Sequence, residues 1–397
     1  MSQTTRAADA PDDEVSEVAG EPFTALEVTS ALSIGILCLV GAGVLSLLLS
    51  ALVDEHRLTA AGIGQAAMLE ALTFGLSTAI SGIILKPRNL RLITAIAAVA
   101  MAAANLATLP ASGGEVLIIR GLAGVPEGVL LWIAVGLISR TVNPARWAGV
   151  LFTGMGVTQL AAAAALSAWG LPRFGANSGY ATLAVVSALC LVFALFTPNR
   201  YGVVPGAEHA VSGAPPLRGW IALFGTLGFS GSTAAVSVYL VPLAHDAGLS
   251  VGVGRTAVSV SLAFQILGGA LATLLAGRIG YMVIFWICTA IFAVAWTSYA
   301  FAVPAWWFVG ASGLYGIAIM LGGPFLTPMT IDADPSRRAV IQTGAAQVLA
   351  AALGPFLASL VVSDHNVRGA LVFGAILLAV GIAVISGVHA MGRRAAT

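Results

Sequence analysis

Residues 198–218 read PNRYGVVPGAEHAVSGAPPLR. This is the longest interval beyond the N-terminal leader that lacks an extended apolar run, and its Pro and Gly residues disfavour regular structure. Outward from it on both sides, apolar runs of about 20 residues follow one another, each long enough for a helix to cross a bilayer core. Six precede it, at roughly 27–53, 61–85, 91–110, 115–139, 147–169 and 179–197. Six follow it, at roughly 219–244, 254–276, 281–302, 305–330, 338–362 and 368–391. The stretch therefore reads as a linker, 198–218, between an N-terminal six-helix bundle, 23–197, and a C-terminal one, 219–391, with a short tail at 392–397.

Composition agrees with an all-α polytopic membrane protein of twelve transmembrane helices. Hydrophobic residues make up 58% of the chain and charged residues 9%, with a mean hydropathy of +0.96. A soluble domain carries about 25% charged residues, so that class is excluded. The net charge of +1 comes with no basic block, which excludes a nucleic-acid-binding face. Cys38, Cys190 and Cys288 all fall in apolar runs and read as small buried hydrophobes, not as a disulfide framework or a metal site. No HExxH, nucleophile elbow or phosphate-binding Gly-Lys loop is present, so enzyme chemistry and a cofactor are not expected. Residues 1–22 carry six acids against Arg6 alone. That is the wrong charge for a signal peptide and fits a disordered cytoplasmic leader.

Basic residues set the orientation. With the N-terminus inside, the inner segments hold Arg6, Lys86, Arg88, Arg91, Arg140, Arg146, Arg200, Arg218, Arg278, Arg337, Arg338, Arg393 and Arg394. The outer loops hold only Arg57, Arg173, Arg255 and Arg368. This bias places both termini in the cytoplasm of a cell with the protein in its inner membrane. NPARWAGVLFTG (143–154) and DPSRRAVIQTG (334–344) precede spans five and eleven, and both run from an X-Pro turn through Arg to Thr-Gly. The match suggests a duplicated bundle with a site between the halves near the bilayer midplane.

Six plus six spans with inside termini and a central linker resemble the major facilitator superfamily of secondary transporters. LAGRIG (275–280) is similar to that family's loop signature L-A-D-R-x-G, with Gly277 where Asp usually stands. The first-half counterpart SGIILKPRNLRLI (81–93) keeps Gly82 and the basic residues but lacks the Asp. By the resemblance, Gly82, Arg278 and Gly280 belong to the gating loops. Arg120 with Gly124 and Gly128 resembles the family's span-four motif, an Arg followed by spaced glycines. The Gly-Pro pair common in span five of exporters is absent there, although Gly354-Pro355 occurs in span eleven. The resemblance also implies that spans one, four, seven and ten line a central cavity and that spans three, six, nine and twelve face lipid.

Arg120 and Glu127 are the charges that need explaining. They stand two helical turns apart on one face of span four, and Glu70 in span two falls at a depth between them. An unpaired charge at a helix centre costs about 2.5–3.5 kcal/mol on the insertion scale, so all three should face the bundle interior or water. One reading is an Arg120–Glu70 ion pair that tethers the two spans. The sharper reading makes Glu127 a proton carrier, with Glu70 as counter-ion and Arg120 as structural partner or anion site, since one cation does not neutralise two carboxylates. Further candidate solute contacts are Tyr315, the approximate repeat partner of Glu127, with Gln347, Gln265 and Ser237. Glu27, Asp332, His245 and Asp246 read as interfacial residues.

The second bundle contributes no membrane-embedded charge, which disfavours di-acids and sugar phosphates. The expectation is a monomeric, proton-coupled transporter whose partners are a small organic solute, protons and the bilayer. The solute would be a monocarboxylate or a neutral aromatic or polar compound. Proton-driven efflux of amphipathic compounds is the alternative, and a non-transporting membrane sensor is a distant third.

Overall fold

The computed structural model describes residues 23–138, 140–141, 144–201, 214–335, 338–364 and 366–396. The acidic leader 1–22, most of the linker, and Asn143, Ser336 and Arg337 of the repeated motif lie outside the described residues. The rest is helical: α1 (Ala25–Cys38), α2 (Val40–Asp54), α3 (Ala60–Ile84), α4 (Leu90–Ala107), α5 (Gly114–Ile138), α6 (Pro144–Ala165), α7 (Leu171–Ala194), α8 (Leu217–Ser237), α9 (Leu240–Asp246), α10 (Val251–Leu275), α11 (Tyr281–Ala300), α12 (Ala305–Gly322), α13 (Leu326–Ala333), α14 (Arg338–Ser359) and α15 (Gly369–Ala396).

Helix starts follow from side chains that satisfy free amides. Thr24 and Glu27 form a reciprocal capping box on α1, so Glu27 sits at a helix end as its position predicts. Thr59 and Ser250 cap α3 and α10 in the same way on one side. Among the described residues, eleven helical runs are long and apolar enough to cross a membrane. One of them, Val150–Ala194, has 45 residues. At 1.5 Å per residue it would span about 67 Å, more than twice a bilayer core, so it must reverse. It does so at Gly175, whose φ of 63° and ψ of −160° lie outside any helix, just after a π-helical turn at Leu166–Gly170. The run is thus two passes and the total is twelve. Span six begins earlier than hydropathy suggests, because the polar residues Asn177 and Ser178 are already helical.

Three spans are broken, which hydropathy does not reveal for two of them. Span one divides into α1 and α2 at Leu39, and span seven into α8 and α9 after Val238. Span ten divides into α12 and α13 around a 3-10 turn at Gly323–Phe325, where Pro324 removes an amide donor.

Packing repeats between the halves. In the first, α3 lies along α5 and α4 along α7; in the second, α10 lies along α12 and α11 along α15. The halves meet where α3 touches α14 and α6 touches α10, and these two contacts are images of each other under the same exchange of halves. Exposed apolar stripes at helical spacing run along α4 (Leu92, Ile96, Val99), α7 (Val185, Leu189, Val192) and α15 (Val372, Ile376, Val380). Such stripes suit hydrocarbon and would be costly in water. At the end of the molecule that bears the termini, Tyr201 of the linker lies under the Arg140 guanidinium and donates to the Ile133 carbonyl at 2.7 Å. Burial pushes its hydroxyl above the usual tyrosine range, so it remains a donor.

Candidate functional site

The site starts from two glycines. A Cβ at Gly124 would fall on the Glu70 carbonyl and the Thr73 side chain, and one at Gly128 on the Phe74 carbonyl. Backbone therefore packs on backbone between α5 and α3. Hydroxyls of α3 add to this seam: Thr73 donates to Gly121 O at 2.6 Å and Ser77 to Val125 O at 2.7 Å, both in the turn before Pro126.

This close approach sets Glu70 against Arg120. The pair is bidentate, with Nε to Oε2 at 3.0 Å and Nη2 to Oε1. Arg120 Nη1 donates to Asn105 Oδ1 of α4 at 2.9 Å, and Asn105 Nδ2 in turn donates to Ser187 Oγ of α7 at 3.3 Å. The Tyr180 ring lies 5.4 Å from the guanidinium carbon. Glu127 Oε1 stands 4.0 Å from the same Nη2 that holds Glu70. Arg120 is 1% exposed, Glu70 5% and Glu127 8%. Two carboxylates thus converge on one guanidinium nitrogen in a place almost closed to solvent. With one cation and two anions the cluster carries a net negative charge unless it holds a proton, and burial makes that charge expensive.

Glu127 also points towards the break in span one: a Cβ at Gly41, two residues beyond Leu39, would stand 3.6 Å from its Oε1. The Leu39 carbonyl there accepts from Gln159 Nε2 of α6 at 2.7 Å. The arrangement can accept and release a proton next to the interruption between α1 and α2.

The remaining candidates lie elsewhere. Tyr315 is buried among Phe292 and Tyr299 and donates to Thr233 O at 2.7 Å, which ties α12 to α8. Ser237 donates to Ala234 O at 3.2 Å within its own helix. Gln265 and Gln347 are half-buried on α10 and α14. Gly82, Arg278 and Gly280 are exposed, and Gly280 is the N-cap of α11. Gly277 has a φ of 73°, a left-handed conformation that an unbranched position without Cβ adopts at least cost. Arg120, Glu70 and Glu127 form one cluster, and no hydrogen bond among the described residues links it to Tyr315, Gln347, Gln265 or Ser237.

Sequence reasoning passed over Asn105, Tyr180, Ser187 and Gln159. Asn105 and Gln159 carried a usable signal, being strong hydrogen-bonding amides inside apolar runs. Also unforeseen is a chain at the terminus-bearing end, where Tyr281 Oη donates to Asp332 Oδ2 at 2.6 Å and meets His389 Nδ1 at 2.7 Å. The tyrosine proton is committed to Asp332, so the imidazole must donate through Nδ1.

The sequence profile described as Major Facilitator Superfamily matches residues 31–359. Among solved structures, the nucleoside transporter NupG superposes with a TM-score of 0.70 at 14% identity, covering 93% of this chain and 99% of that one. A bacterial homolog to the human lysosomal transporter Spinster, in an inward-facing, occupied conformation, superposes with a TM-score of 0.63 at 14% identity, covering 91% and 96%. At such identity the likeness speaks for the fold alone. No curated sequence matches the chain with significance.

Proposed function

The chain belongs to the Major Facilitator Superfamily of secondary transporters, and we propose that it couples proton movement to the uptake of a small organic solute by alternating access. In this reading Glu127 carries the proton, Glu70 is the counter-ion and Arg120 fixes both. Both termini are cytoplasmic, and the membrane is the inner membrane of the cell. The observation that carries the proposal is the convergence of Glu70 and Glu127 on Arg120 Nη2. Adding a proton to Glu127 neutralises the cluster and removing it restores a buried charge, so the cluster's two charge states favour different degrees of solvent access.

Arg120 already engages Glu70 through two nitrogens and Asn105 through the third. A solute carboxylate would have to displace Glu70, which favours a neutral aromatic or polar solute over a monocarboxylate. Nucleosides, the cargo named for one fold neighbour, are members of that class and belong among the probes.

A thermal-shift screen of neutral aromatics, nucleosides and monocarboxylates on purified protein selects the probe, since a ligand of the folded state raises apparent stability. Proteoliposomes with an acidic exterior should then accumulate that probe. Glu127→Gln should lose gradient-driven accumulation while retaining counterflow exchange. Accumulation by Glu127→Gln equal to wild type overturns the proton role of Glu127, and efflux moves to first place if the acid gradient drives the probe outward.

A further inference from the structure

Among the described residues, four hydrogen bonds or ion pairs join the first six spans to the last six. They are Ser46 Oγ to Val238 O at 3.1 Å, Ala60 N to Asp364 Oδ1 at 2.8 Å, Ser167 Oγ to Arg255 O at 3.5 Å, and Arg255 Nη2 to Asp54 Oδ2 at 3.8 Å. All four lie in the half of the molecule far from the termini. Close packing agrees: a Cβ at Gly64 would strike the Pro355 carbonyl and the Ser359 side chain. The structure is therefore closed at that end. Beside the contacts is a cavity of about 580 Å³ lined by both halves, with Ser50, Asp54, Thr59 and Ala60 on one side and His245 and Asp364 on the other.

We propose that Asp364 is the latch of this closed end, acting by docking its carboxylate on the N-terminus of α3. The proposal rests on the alternating-access reading above and names what holds one of its two states. The physical case is local. Ala60 is the first residue of α3, and its amide is one of the donors a helix leaves without an internal partner. Thr59, the N-cap, spends its hydroxyl on Gly62 N at 3.0 Å. Asp364 comes from the loop between α14 and α15, 304 residues later in the chain, and fills Ala60 N. The contact is charge-assisted and complements the positive end of the helix dipole.

The other three contacts are weaker. Arg255–Asp54 is a solvent-screened pair at 3.8 Å, beyond hydrogen-bonding distance, whereas Asp364, although also exposed, accepts from Ala60 N at 2.8 Å. The Ser46 and Ser167 bonds are between neutral groups. Asp364 is the one charged group within hydrogen-bonding distance across the halves among the described residues. When the ends part, both carboxylate and amide regain water, so the net bias is modest. A bias of roughly 5- to 30-fold is enough to favour closure and small enough for a cargo or a proton to override.

The experiment removes donor and acceptor separately. Ala60→Pro deletes the amide at a first-turn position where proline is compatible with the helix, and Thr59 already has the extended backbone that a following proline requires (φ −88°, ψ 161°). Asp364→Ala deletes the acceptor. The reporter is Ser50→Cys, on the cavity wall, labelled by a membrane-impermeant maleimide from the side far from the termini. The native Cys38, Cys190 and Cys288 are buried and provide a quiet background.

Each single variant should raise the labelling rate by about fivefold, and the double variant should match the singles, because both remove one bond. Asp364→Glu should restore part of the protection. Unchanged labelling in both single variants overturns the latch, and so does an additive double variant. The readout is accessibility, not transport, so either failure leaves the accumulation test of Glu127 standing, and a failure there leaves this one readable.

Discussion

Glu70→Ala would leave the Arg120 guanidinium buried with its bidentate partner gone and only the more distant Glu127 in reach. Breaking one side of a buried pair costs about 3–5 kcal/mol, whereas replacing both partners by apolar residues is often neutral. Glu70→Ala should therefore lower the thermal midpoint of the detergent-purified protein steeply. Glu70→Leu combined with Arg120→Met should recover most of it. A double variant no more stable than Glu70→Ala would show that Arg120 contributes through Asn105 and Tyr180 and not through the ion pair. The three charges were legible in the sequence because each interrupts an apolar run, and helical spacing put them at matching depths. Tyr180 was not legible, since an aromatic near a span end reads as an interfacial anchor until the fold sets its ring against Arg120.

The spans could be read from hydropathy because crossing a bilayer demands one property over about 20 residues. Their breaks demand something else. Span ten advertises its break with Gly322, Gly323 and Pro324, but Leu39 and Val238 look like any other apolar position. What permits a break there is a donor from another helix: Gln159 of α6 for the Leu39 carbonyl and Ser46 of α2 for the Val238 carbonyl. Such pairing is tertiary and has no local sequence signature. A carbonyl stripped of its partner in a buried site costs about 1–3 kcal/mol. Gln159→Leu should destabilise the protein by that order and shift its thermal midpoint, whereas Thr158→Val should do so far less, since the Thr158 hydroxyl bonds only within its own helix. Equal shifts from the two would mean that the span-one break is held by packing alone. The break sits two residues from the position that faces Glu127, so Gln159→Leu should also slow transport more than its stability loss explains.

For the molecule as a whole, the decisive quantity is parity. Helical continuity alone counts eleven runs, while the reversal at Gly175 makes Val150–Ala194 two passes and the total twelve. The two counts differ in a way that can be measured. With twelve passes, residues 23, 201 and 396 lie on one face, and the turns at Gly113, Gly175, Gly248 and Asp364 lie on the other. With eleven, everything after α7 changes sides. The repeat supports twelve, because α3 against α14 and α6 against α10 are equivalent contacts only if each half contains six passes. Energetics point the same way, since a single 45-residue helix would leave Val150 to Ala194 reaching about 37 Å beyond a bilayer core with apolar side chains in water. Single cysteines at Gly113, Phe174, Asp246 and Asp364 should react with an impermeant maleimide from one side of the membrane. Cysteines at Lys86, Arg200 and Arg278 should react only from the other. Labelling of Arg278→Cys from the same side as Gly113→Cys would restore the eleven-pass count and with it undo the exchange symmetry of the halves. The expected pattern places the Asp364 latch and the Arg57, Arg173, Arg255 and Arg368 loops on the face with few basic residues, and the charge bias then assigns that face to the outside.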